Sequence, residues 1–373
     1  MQRGAVPRVF RILFCAVMLV VQVAAGVAAG APGALRIGTS ADYAPFSFRD
    51  TAGNLTGFDI TVARRLASDL GRQVDFVPFR WPDLVAQLEG GTFDVAMNGV
   101  TIRPDRAVSI GYTRPYVVTG AVAVIRASDR QRYRGVADLD HAGVRIGVNA
   151  GGHLQQVALR QFTHAHVAPV SDNRALPDLL QRGEVEAVIS EQFEPRTWSG
   201  KQFVILGAFT RDRKAYALAP TATDLLQQIN DWLAAREADG WLNEQRRRWL
   251  GDRASLTPAQ AGFEALVAAI DLRLQLMPFV AAVKRRERLP IEDSAQEARV
   301  LERVRTAAAA HRLGPDDVAE VFRVQIEAAK AVERSAPAPS VPAHLSLEAV
   351  ARCRKQGERS NHRRAGPLSA VVG

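Results

Sequence analysis

Cysteine is nearly absent: the 373 residues carry two, Cys15 and Cys353. Cys15 lies in an apolar leader whose removal would leave Cys353 alone, so no disulfide framework can staple the fold and stability has to come from packing. Charge of one sign is also scarce where a polyanion would need it. The formal net charge is +9, but Arg3, Arg8 and Arg11 supply +3 of it and residues 351–373 supply +5, which leaves +1 for everything between. A protein that tracks phosphates carries its charge on the folded surface, so nucleic acid is excluded as the expected partner. Long apolar runs are limited to Ile12–Val27, and no later stretch reads as long and apolar enough to cross a bilayer. Disorder is excluded for the body of the chain, because 47% hydrophobic and 23% charged residues match packed domains. The length is too great for one ordinary domain and sets an expectation of two or three.

The two ends read differently from the body. A basic stretch ending at Arg11, the apolar run and small residues through Ala31 form the pattern of a secretory signal peptide over 1–31, which predicts a periplasmic protein. An uncleaved anchor is the open alternative. Cys15 stands near the start of the run, whereas a lipid-bearing cysteine would follow it. At the other end, Ser335-Ala-Pro-Ala-Pro-Ser-Val-Pro342 stops any helix before it. Residues 335–373 are expected to be a proline-rich linker and a basic, mostly disordered tail, with a short helix near 344–352.

From Leu35 strands and helices alternate: strand Leu35 to Thr39, helix Phe58 to Leu70, strand Val74 to Phe79, a helix opened by Trp81-Pro82-Asp83, strand Phe93 to Met97. That order predicts an α/β fold with a parallel sheet. The phrase recurs, since Trp81-Pro-Asp-Leu, Gly91 and a strand ending at Asn98 are echoed by Leu176-Pro-Asp-Leu, Gly183 and a strand ending at Ser190. Residues 34–251 are therefore expected to form two related lobes with a cleft between them. Ligands of open α/β sheets sit beyond the carboxyl ends of the strands, here Asn98-Gly99-Val100-Thr101 and Ser190-Glu191. Arg106, just after the first turn, offers a planar fork for a carboxylate. Asn149-Ala-Gly-Gly-His153 joins a strand to a helix and offers backbone N–H groups as a second anion site. Tyr43, Phe46 and Trp81 read equally well as core or as ligand contacts.

Ala41-Asp-Tyr-Ala-Pro-Phe46, Gly57-Phe-Asp59, Phe93-Asp-Val-Ala-Met-Asn-Gly-Val-Thr-Ile-Arg-Pro-Asp-Arg106 and Tyr112-Thr-Arg-Pro-Tyr116 resemble the type II periplasmic amino-acid-binding proteins. The resemblance implies that Arg106 meets a ligand carboxylate and Glu191 its amine. Arg80-Trp-Pro-Asp-Leu84, Val148-Asn-Ala-Gly-Gly152, Ser190-Glu-Gln-Phe-Glu194 and Arg213-Lys-Ala-Tyr216 are similar, within that superfamily, to the periplasmic cyclohexadienyl dehydratases. Those enzymes convert prephenate to phenylpyruvate or arogenate to phenylalanine. The implied proton donor is Glu194, with Tyr43, Trp81, Asn98, Gly99, Thr101, Arg106, Gly152, His153, Glu191 and Lys214 holding substrate. Expelling hydroxide needs an acid, and a carboxyl protonated near neutral pH needs burial or a like charge; Trp81 and Glu191 are the expected sources. His153 and Leu154 depart from the hydroxyl and polar residues expected after the glycines, and Glu191 replaces a shorter Asp.

After Gly251 the period changes to 3.6. Phe263, Leu266, Val267, Ile270, Leu274 and Met277 mark one face of a long helix, a second helix is expected from about Ala295 to Arg312, and Val318, Val321, Phe322, Ile326 and Ala329 line a third. Residues 258–334 thus read as an all-α domain. Its core is small, so pairing with a second copy or with the lobes is expected. Arg273 and Lys284, 11 residues apart, project from one helix face. Arg273 through Lys284, Leu289-Pro-Ile-Glu-Asp-Ser294 and Gln325-Ile-Glu-Ala-Ala-Lys-Ala-Val-Glu333 resemble the secreted gamma-class chorismate mutases. The resemblance implies that Arg273 binds a carboxylate, Asp293 assists a hydroxyl, and Lys284 with Glu333 meets the ether oxygen. Gln296 stands where that family has an arginine, and Ala329 where a hydroxyl residue is common. Neither reaction needs a metal or cofactor; the expected partners are chorismate, prephenate and arogenate. The rival reading is an amino-acid or carboxylate receptor carrying a degenerate mutase domain.

Overall fold

The computed structural model describes residues 33–198, 202–337, 339, 341, 345–348 and 350. The expected leader over 1–31 and the tail over 352–373 lie outside the described residues. In the first lobe, Val74–Pro78, Leu35–Thr39 and Val95–Ala96 are parallel neighbours. Ala217–Leu218 and Gly111–Tyr112 extend the same sheet as antiparallel strands. In the second lobe, His166–Val170, Arg145–Asn149 and Ala187–Glu191 are parallel, and Ala121–Arg126 and Phe203–Ala208 complete the sheet antiparallel. Both sheets are therefore mixed rather than purely parallel, because the chain crosses between lobes twice and brings in strands of opposite direction. The crossings pair with each other: Val117–Thr119 runs antiparallel to Asp212–Lys214 as a two-stranded ribbon between the lobes. The repeated phrase takes the same form in both lobes, a 3-10 turn (Trp81–Asp83, Asn173–Ala175) running into a short helix (Leu84–Glu89, Leu176–Gln181).

The α-helical part starts cleanly because Thr257 accepts from the Gln260 N–H while the Gln260 side chain bonds back to the Thr257 N–H, a reciprocal cap that satisfies two orphan donors. The three helices span Pro258–Glu287, Ser294–Ala310 and Pro315–Ser335. Leu276, Met277 and Ala329 are buried in the same apolar cluster as the first lobe, so this unit supplements its small core from the lobe. Two expected core positions are instead on the surface, Phe263 at 62% and Val321 at 53% exposure. Phe263 is turned outward because the start of its helix buries the face of Ala261, Glu264 and Ala268 instead, and Val321 lies at the edge of its own stripe.

The expectation that no later segment has the length and apolarity of a membrane span is corrected by Pro258–Glu287, which has both. Its polar groups are committed to protein contacts: Glu264 pairs with Arg211 and Arg213, and Lys284 with Glu333. Beyond the third helix, Leu345 and Val350 pack with Val283 of the first helix. The Val350 N–H donates to the Ser346 carbonyl, so the expected short helix is present as a turn docked on the helical unit.

Candidate functional site

The strand ends do converge. Tyr43, Trp81, Gly99 and Thr101 from the first lobe, Asn149, Gly152, His153, Leu154 and Asn173 from the second, and Lys214 from the connecting ribbon line a cavity of about 20 Å³, the room of about one water. The lobes are closed on one another: the Asn173 side chain donates to the Asp42 carbonyl at 3.3 Å and Arg103 to the Gly152 carbonyl at 3.4 Å. Gly99 has φ +60°, and a Cβ there would lie 2.8 Å from the Tyr43 ring, so the aromatic wall depends on a residue without a side chain.

Glu194 is buried behind this cavity. Ser190 Oγ donates to its Oε2 at 2.6 Å, and Asn173 Nδ2 donates to its Oε1. Burial pushes the carboxyl up to about 7; the Ser190 and Asn173 hydrogen bonds pull the other way, and the neighbouring Glu191 and Asp42 charges add to the rise. The like-charge contribution of Glu191 and the leading role of burial are as expected, and the buried Trp81 lines the cavity. Glu191 is wholly buried. Its Oε2 lies 3.0 Å from Lys214 Nζ, Thr119 donates to its Oε1, and burial raises its pKa against the pull of Lys214. Lys214 also donates to Thr101 Oγ1 at 2.9 Å and lies 5.7 Å from the Tyr43 ring centroid.

Two expected contacts, Asn98 and Arg106, are placed off the cavity, while His153 lines it with its ring engaged by a carboxylate. Asn98 spends its side chain inside the first lobe, accepting from Thr39 and Ser40 and donating back to Ser40 Oγ at 2.8 Å. Arg106 does not line the closed cavity; its Nη2 donates to the Gly151 carbonyl of the opposite lobe at 3.2 Å, while its buried Nη1 has no hydrogen-bond partner. His153 Nε2 lies 3.0 Å from Asp212, and burial lowers the imidazole pKa despite that carboxylate. A neutral ring is the consequence at neutral pH.

Several contributors are not among the site residues expected from the sequence. Asn173 opens the 3-10 turn just before the Leu176 phrase and belongs to none of the motifs that point to the site. Asp212 is two residues before Lys214 and so on the same strand face, the one signal that points to it. Asp59 accepts from the Gly99 N–H at 2.6 Å and from the Tyr116 and Tyr216 hydroxyls at 3.1 Å each, and burial raises its pKa to about 7. It fixes the turn that carries Gly99 and Thr101. Asp59→Ala should leave three buried donors without an acceptor and cost about 3 kcal/mol or more, at about 1–3 kcal/mol each, measured as a fall in urea midpoint.

In the helical unit, Lys284 Nζ lies 2.9 Å from Glu333 Oε2 and 3.0 Å from the Ile291 carbonyl. Arg273 Nη1 donates to the Gln325 carbonyl at 3.0 Å, so both cations of the first helix face the third, as the 11-residue spacing predicts. Asp293 and Gln296 do not join them. Asp293 accepts from the Gln296 N–H at 2.9 Å as the cap of the second helix, and the Gln296 side chain is exposed and holds Arg299 at 2.9 Å. Capping decides both: an Asp at the cap position is bound to its own helix start.

Residues 35–252 match the model of the bacterial extracellular solute-binding proteins, family 3. The chain belongs to that family. A second, shorter match covers residues 264–334, to chorismate mutase type II. This solute-binding-family chain is 29% identical over 223 residues to the cyclohexadienyl dehydratase of Pseudomonas aeruginosa, covering 58% of this chain and 83% of the relative. It is 28% identical over 223 residues to the L-cystine-binding protein TcyJ of Escherichia coli strain K12, covering 59% and 83%. Among solved structures, the ancestral amino-acid-binding protein AncCDT-1, described as a precursor of cyclohexadienyl dehydratase, aligns with TM-score 0.57 at 29% identity over 58% of this chain and 96% of that one. A mutant of ArgBP from T. maritima aligns with TM-score 0.55 at 27% identity, covering 58% and 95%. The two-lobe α/β fold with an appended chorismate-mutase-type helical unit is thereby established, and the relatives divide between an enzyme and amino-acid receptors.

Proposed function

We propose that the protein is a bifunctional enzyme of the periplasm. Its helical unit rearranges chorismate to prephenate, and its lobes dehydrate and decarboxylate prephenate to phenylpyruvate. The observation that carries this reading is Glu194, a buried carboxyl held by Ser190 and Asn173 beside the cleft with its pKa raised to about 7. Prephenate dianion plus one proton gives phenylpyruvate anion, carbon dioxide and water. The C–C bond to the ring carboxylate breaks, its electron pair aromatises the ring, and the ring C–O bond breaks as Glu194 protonates the departing hydroxyl.

The pairing of Lys214 with Glu191 favours prephenate over arogenate and over free amino acids. In the family resemblance the acid at this position meets a ligand amine; here an internal ammonium sits 3.0 Å from it. Prephenate brings carboxylates and no amine, so it gains from Lys214 and loses nothing to it. Purified protein given prephenate should release phenylpyruvate, read by its absorbance, and should turn over arogenate at least ~10-fold more slowly, the effect of about 1.4 kcal/mol from one unpaired ammonium. Equal or faster arogenate turnover would remove this assignment of Lys214. An absence of both reactions with tight amino-acid binding would make the lobes a receptor.

A further inference from the structure

A second cavity, of about 450 Å³, lies where the lobes, the connecting ribbon and the first helix of the helical unit meet. Its volume falls within the ordinary range of small-molecule sites. Two helix faces oppose each other across it. His153, Gln156 and Arg160 follow one another at i, i+3 and i+7 on the helix His153–Gln161, and Ala268, Asp271 and Gln275 do the same on Pro258–Glu287. Arg211 and Arg213 of the ribbon line it between them, and Arg103 lines it from the first lobe. Thr101 and His153 line both this cavity and the small cleft, so the two spaces share a wall made by these side chains.

Four guanidinium groups converge here, and their pairing leaves capacity. Arg103 is held by Asp105. Arg211 and Arg213 share Glu264, which is 9% exposed and lies behind them rather than on the cavity wall. Asp271 reaches Arg213 only at 3.5 Å and is itself half exposed. Arg160 has no ion-pair partner among the described residues. Asp212 is engaged by His153. A ligand with two separated carboxylates can meet Arg160 from one side and the Arg211–Arg213 edge from the other, using forks suited to planar anions.

We infer that this chamber binds small ring dicarboxylates and is the entry station of the dehydratase cleft, facing the helical unit that would supply them. The entry role rests on the proposed function; the binding itself does not. The chamber is built from both parts of the chain, so it requires the lobes and the helical unit together.

The test uses the full chain and isophthalate, a ring carrying two carboxylates, as calorimetric probe, with prephenate kinetics beside it. Arg160→Gln should weaken isophthalate at least ~10-fold, and Gln275→Trp, which fills the space, should abolish its binding. With prephenate as substrate, both variants should raise KM several-fold and leave kcat unchanged, since neither residue lines the cleft. Isophthalate binding that is absent from the parent chain, or unchanged in both variants, overturns the site. Binding lost in the variants with KM unmoved overturns the entry role and keeps the site. A parent chain inert toward prephenate that still loses isophthalate in the variants defeats the proposed function while supporting the chamber.

Discussion

Glu194→Gln is expected to lower prephenate turnover by about 10²–10⁴-fold, the span of a lost general acid, while prephenate still binds. The substitution preserves shape and removes only the transferable proton. The unsubstituted protein should show the same dependence as a pH profile. A general acid works in its protonated form, and burial holds Glu194 at about 7, so kcat should be level well below that value and fall tenfold per unit above it. The sign follows from the direction of the shift: a carboxyl at its ordinary value would already be ionised across this range, and the fall would come some two to three units lower. In Glu194→Gln the residual rate should lose the inflection altogether. The measurement is phenylpyruvate release from pH 5 to 9 in both proteins, with circular dichroism confirming that each remains folded. An inflection near 7 that persists in the Gln variant would assign the titration to another group, with Asp59, also raised to about 7, as the first to examine.

The sequence carried the α/β alternation and the two-lobe repeat because both depend on local periodicity, which a single chain displays directly. Leu35–Thr39 runs where the pattern places it, and the phrase shared by Trp81 and Leu176 gives the same turn and helix in each lobe. The mixed sheets were illegible because strand direction is set by where the chain crosses between lobes, which no local pattern records. At the site, Glu194, Lys214 and Glu191 were visible through their motifs. Asn173 was not, since 21 residues separate it from the carboxyl it holds. Asp59 was visible as a motif member but gave no hint that three donors converge on it. Asn98 and Asp293 show the opposite failure: residue type and position suit a ligand, yet nearer backbone and hydroxyl partners claim their side chains first.

Lys284→Ala should lower chorismate rearrangement by about 10²–10³-fold, the loss seen when one charged or oriented donor is removed from a developing oxyanion. The rearrangement passes through a cyclic transition state whose ether oxygen gains negative charge, and a catalyst of it holds the folded conformer and aims donors at that oxygen. Lys284 is held by Glu333 at 2.9 Å and the Ile291 carbonyl at 3.0 Å, so on the proposed function its ammonium is fixed before substrate arrives. Removing it also leaves Glu333, only 5% exposed, as a buried carboxylate without its partner, which destabilises the helical unit by several kcal/mol. Two controls separate the effects. Lys284→Ala with Glu333→Gln removes the orphaned charge and should recover stability without recovering rearrangement, and dehydration of supplied prephenate should persist in both variants because Glu194 lies in the lobes. Gln296→Arg should raise the parent rate little, since the Gln296 side chain faces solvent and Arg299 rather than Lys284. A parent chain that consumes no chorismate, or a Lys284→Ala variant as active as the parent, would reduce the helical unit to a packing partner of the lobes. Phenylpyruvate from prephenate would then be the one activity left to the protein.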